Sequence, residues 1–114
     1  MGWDAFATRD GETYFDGLAK PEFASAAARA RKNAICVDGL LYRGGLDISH
    51  CGLALQEATG RSAWSETSWS PDDVRALAAS ADWSRCQQEP WAVESARAFL
   101  EVCAEHGFGV TFSF

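Results

Sequence analysis

Two pairs of residues in this chain have the side chains that hold metals or attack substrates: His50-Cys51, and Cys103 with His106. Cys103 and His106 stand three residues apart in a helical stretch, so both can face one ion. His50 and Cys51 would complete a tetrahedral zinc site if the two segments met. Neither pair has the Cys-x-x-Cys spacing of a zinc knuckle. Cys103 also lies on the apolar stripe of its helix, where a thiol is ordinarily buried. A nucleophilic Cys51 would benefit from a helix start, where the dipole lowers a thiol pKa. Adjacent helical residues diverge by about 100°, however, so His50 does not serve Cys51 as a base. Carboxylate pairs follow from an acidic composition: Asp72-Asp73 reads as a helix start, and Glu101 with Glu105 as a solvated face. Gly44-Gly45 after Arg43 lacks the Lys-Ser/Thr of a P-loop and the third glycine of a dinucleotide fingerprint. Arg29, Arg31 and Lys32 read as a helix C-terminus satisfied by its own dipole. The expectation is a protein without catalytic residues, metal or cofactor.

The elements that must position these residues are legible in part. Pro21–Lys32 reads as a helix with a small alanine face. Asp47 or Ser49 caps a short helix running to about Thr59, with Cys51, Leu55 and Ala58 on one stripe and Gly60 as its stop. Ser70-Pro71-Asp72-Asp73 opens another helix, with Val74, Leu77, Ala78 and Ala81 as its stripe. The last helix spans Pro90 to His106 and stops at Gly107. Its apolar face is Ala92, Ala96, Phe99, Leu100 and Cys103; its outer face is Glu94, Arg97, Glu101 and Glu105. Three Asp-Gly dipeptides suit tight turns. They suggest an N-terminal hairpin (Trp3–Thr8 with Glu12–Phe15) and a second one (residues 35–37 with 40–42). Phe108, Val110, Phe112 and Phe114 alternate as the inner face of a strand. The expected fold class is α+β: a single domain over residues 1–114, with two hairpins and a C-terminal strand forming a small antiparallel sheet covered by three or four helices.

The bulk composition limits the function classes. The 114 residues contain 47% hydrophobic and 23% charged side chains, as an ordinary globular domain does. The net charge is −6, and it is uneven. Residues 1–52 hold seven acids and six bases, and residues 53–114 hold nine acids and four bases. A surface of that sign repels phosphate, which argues against nucleic-acid binding and suits a protein partner with a basic surface. No apolar run spans a membrane, and no secretion signal is visible. Four cysteines without such a signal read as reduced thiols in a cytoplasm.

The polar stretch Ala63–Ser70 carries two of the five tryptophans. Trp69 precedes the helix cap and can staple against Val74. Trp83 and Trp91 are expected to anchor the 82–90 turn to the core. Trp64 has no local apolar partner and reads as a partner anchor, the residue type enriched at binding hot spots. The candidate partner-binding set is Trp64, Glu66, Asp72, Asp73, Glu94, Glu101 and Glu105. In size, charge and lack of catalytic residues the chain is similar to toxin-immunity proteins and to phage-encoded inhibitors of host defence of the anti-CRISPR type. That similarity implies a non-catalytic inhibitor acting by occlusion. The alternative is a small-ligand or carbohydrate module using the Trp/Ser-rich loop 60–70. Oligomeric state is left open by the sequence.

Overall fold

The structure, a computed structural model, describes residues 4–8, 49–62 and 64–113. The expected helix at 21–32, the hairpin at 35–42, the 12–15 arm of the first hairpin and the Asp47 cap lie outside the described residues. The described elements are β1 (Asp4–Thr8), α1 (Ser49–Thr59), β2 (Ser68–Trp69), α2 (Pro71–Ser80), a 3-10 turn (Trp83–Arg85), α3 (Pro90–His106) and β3 (Gly109–Ser113). The α+β class is therefore as expected, with three α-helices and a three-stranded antiparallel sheet. None of these helices is long and apolar enough to cross a membrane.

The alternating C-terminal segment becomes the middle strand, in the order β1-β3-β2. Its inward residues Val110 and Phe112 are buried, while Thr111 faces out. Residues directly opposite in an antiparallel pair share a face. Ala5 pairs with Phe112, and Ala7 and Trp69 both pair with Val110. Small residues on β1 thus leave room for large ones on β3 and β2. Among the described residues, β1 pairs along one edge with the C-terminal strand.

β2 falls within the stretch expected as the Trp/Ser-rich loop 60–70 and gives its end strand character. Ser68 and Trp69 pair with β3, and the Phe112 amide donates to the Thr67 carbonyl at 2.9 Å. Two residues are too few to show a period of two. Gly109 permits the close approach of the three strands. A Cβ there would lie 2.9 Å from the Trp69 carbonyl oxygen and 3.1 Å from Thr8 Oγ1.

The helix ends follow local rules. α1 already includes Ser49, and Gly60 ends it in the left-handed region at φ +74°. At α2, Ser70 Oγ accepts from the Asp73 amide at 3.1 Å, and an Asp73 carboxylate oxygen accepts from the Ser70 amide at 3.4 Å. This reciprocal box satisfies two groups that the first turn otherwise leaves bare. α3 stops at Gly107, φ +73°, where the Phe108 amide closes back on the Cys103 carbonyl at 2.8 Å. The expected stripe of α3, from Ala92 to Cys103, is buried completely.

Residues 82–91 run back along α1. Asp82 N–H donates to the Ala58 carbonyl at 2.9 Å, and the Cys86 thiol to the Ala54 carbonyl at 3.3 Å. Glu57 accepts from the Gln87 amide at 2.8 Å and from Gln88 Nε2 at 3.1 Å. Trp83 packs against the core as expected. Trp91 does not anchor the turn: it is 40% exposed, with its ring edge-on to His50 at 6.0 Å. Glu57 performs the anchoring instead, through polar contacts that no hydrophobic pattern reveals.

Candidate functional site

The residues that best define a site lie between Gly60 and Asp73, where α1 hands over to β2 and α2. Glu66 is its hub. Its carboxylate accepts from Arg61 Nε at 3.1 Å and from Arg61 Nη2, a bidentate pair of matched planar groups. The same carboxylate accepts from the Trp69 indole N–H at 3.1 Å. A buried indole N–H needs such a partner, and Trp69 is 1% exposed. Arg61 also reaches Asp73 at 3.6 Å and lies over the Trp69 ring, 5.6 Å from its centroid. Phe112 meets the same ring edge-on at 4.7 Å. The hydrogen bonds from Arg61, followed by that from Trp69, hold the Glu66 carboxyl below the usual carboxylate range. Arg61 is correspondingly raised, mainly by its hydrogen bonds to Glu66.

Above this hub the chain turns at Ser62–Ser65. The Ser65 amide donates to Ser62 Oγ at 3.3 Å, and the Ser65 hydroxyl to the Ser62 carbonyl at 3.5 Å. Trp64 sits in this turn with 39% of its surface exposed. The two indoles of the segment therefore have different environments. Trp69 belongs to the core, and Trp64 stands at the surface.

The other candidate residues divide between α2 and α3. Asp73 is engaged by the α2 cap and by Arg61. Asp72 is solvated and lies 3.6 Å from Arg75. Arg75 in turn approaches Gly107, the residue that ends α3, so the start of α2 lies beside the end of α3. Glu101 pairs with Arg97 at 2.9 Å. Glu94 and Glu105 are exposed on the same outer face of α3, about 16 Å apart along the helix axis at 1.5 Å per residue. The structure thus brings Glu66, Asp73 and the Trp64 turn together around Arg61. It sets Glu94, Glu101 and Glu105 in a line, with Asp72 at the Glu105 end.

The paired Cys and His residues do not converge. His50 meets Trp91 at the start of α3, whereas His106 stacks on Phe108 beyond its end, with centroids 5.8 Å apart. The intervening helix from Trp91 to His106 rises about 22 Å. Cys51 and Cys103 are both buried completely. Among the described residues, no group of three or more His, Cys, Asp or Glu side chains is placed to hold a metal ion. Burial pushes the half-buried Cys86 thiol up, and the charges of Glu57 and Asp82 add to the effect.

Arg61 is the residue that the sequence reading missed. Its spacing to Glu66 crosses a turn and matches no helical or strand period, so no periodic signal marks it. The chain matches no protein-family model, no curated protein and no solved structure.

Proposed function

We propose that this chain is a small acidic protein-interaction module, a non-catalytic inhibitor of the immunity or anti-defence type that occludes a basic surface on a partner protein. The observation that carries this reading is the outer face of α3, where Glu94, Glu101 and Glu105 line up with Arg97 as the one base in that row. With three acids against one base the row keeps a net negative charge, which steers a basic partner and sets its orientation. Trp64 supplies the apolar anchor that charge alone does not provide. Glu66 and Asp73 contribute through Arg61, as supports of the turn. Two observations favour this reading over a carbohydrate module: the burial of Trp69 leaves Trp64 as the exposed indole of the described loop residues, and the Ser62 and Ser65 groups are hydrogen-bonded to each other.

The test is association with a panel of basic nucleic-acid-binding proteins, measured from low to high salt. The expected result is a partner whose on-rate falls with salt, falls again for the triple variant E94K/E101K/E105K, and whose own nucleic-acid binding is blocked. A panel with no such partner, or a partner indifferent to both salt and charge reversal, overturns the proposal.

A further inference from the structure

We infer that Glu66 is a positioning residue: its carboxylate locks the 61–69 loop into one shape and thereby presents Trp64 to a protein partner. This inference rests on the interaction reading above. It also changes the role of Glu66 from a partner contact to an internal support.

The argument starts from valence. A carboxylate has two oxygens and about four acceptor positions. Glu66 uses Oε1 for Arg61, and Oε2 for both Arg61 and the Trp69 indole. Both donors come from fixed ground. Arg61 follows the Gly60 stop of α1, and Trp69 is held in β2 by Val110 and Phe112. Arg61 adds a third tie to Asp73, which the α2 capping box holds. The turn that carries Trp64 is therefore closed by charge-assisted hydrogen bonds from Arg61, just past the end of α1, and from Trp69 in β2, with an ion pair from Arg61 to Asp73 in α2. Such bonds are roughly twice as strong as neutral ones. An exposed anchor on a closed loop loses less conformational freedom on binding than one on an open loop. Neutralising Glu66 weakens the Arg61 arm of the closure while leaving the exposed surface of Trp64 chemically unchanged.

The experiment compares Glu66→Gln with Glu94→Gln, which removes the same charge from α3. Hydrogen exchange of the free protein is read over 61–69, together with the Trp69 indole N–H. In Glu66→Gln these should exchange about tenfold faster, an opening free energy lower by about 1.4 kcal/mol. Glu94→Gln should leave them unchanged. Unaltered exchange in Glu66→Gln overturns the inference. Against a basic partner, Glu66→Gln should weaken affinity in the native background and have little effect when Trp64→Ala is also present. Equal effects in both backgrounds overturn it as well. If the loop opens as expected but neither Trp64→Ala nor the α3 charge reversal alters binding to any basic partner, the interaction reading falls and the closure by Glu66 stands as a structural lock only.

Discussion

Trp69→Ala and Trp64→Ala remove the same side chain five residues apart, yet the structure assigns them very different consequences. Trp69 is buried, its ring packs edge-on against Phe112, and its N–H is bound by Glu66. Truncating a buried tryptophan costs about 3–5 kcal/mol, combining lost transfer energy with the cavity left behind. A natural domain has a total stability of about 5–15 kcal/mol, so the change removes a large share of it. Trp64 is 39% exposed in a turn, so its truncation leaves no closed core cavity and should cost less, about 1–2 kcal/mol. Urea unfolding followed by far-ultraviolet circular dichroism separates the two without relying on indole emission. With a slope of about 2 kcal/mol per molar urea, the midpoint should fall by about 2 M for Trp69→Ala and by no more than about 1 M for Trp64→Ala. Equal shifts, or a larger one at Trp64, would show that the burial assigned to these two residues is wrong. A change in slope would point instead to an altered unfolded ensemble.

Gly109→Ala should destabilise the sheet by about 1–3 kcal/mol, because the added methyl meets the Trp69 carbonyl and Thr8 and the backbone must shift; a thermal melt unchanged from the native protein would refute this. Of the three described cysteines, Cys86 should react first with a thiol reagent, slowly at neutral pH and faster as pH rises, since burial disfavours its thiolate. Cys51 and Cys103 should react on the timescale of unfolding, and rapid labelling of either in native conditions would contradict their burial. The Glu66 lock has a defined pH dependence. Its carboxyl is lower in the folded state, so its contribution is full above the ordinary glutamate range and fades as pH falls through the folded value. Protection factors over 61–69, which divide out the intrinsic slowing of amide exchange with falling pH, should therefore drop on acidification in the native protein and respond less in Glu66→Gln, and matching pH profiles would count against it.

What the sequence determined by itself is local. Ser70, Pro71 and Asp73 specify the start of α2 because a cap is built from side chains reaching backbone three residues away. Gly60 and Gly107 specify helix ends because a left-handed residue is needed there. The alternation from Phe108 onward specifies a half-buried strand because successive side chains point to opposite faces. Tertiary structure decided everything that depends on which segments come alongside one another. Ser68 and Trp69 become a strand only because β3 offers its edge. Glu57 anchors residues about thirty positions later, a distance at which no periodic signal survives. Trp91 turns outward although its helix is well predicted, since neighbouring packing rather than helix propensity decides what is covered. The same holds for the two tryptophans of the middle segment. Their identity and polar neighbours are nearly alike, and the difference between core and surface arises because Trp69 lies opposite Val110 while Trp64 rides the turn that Arg61 and Glu66 close.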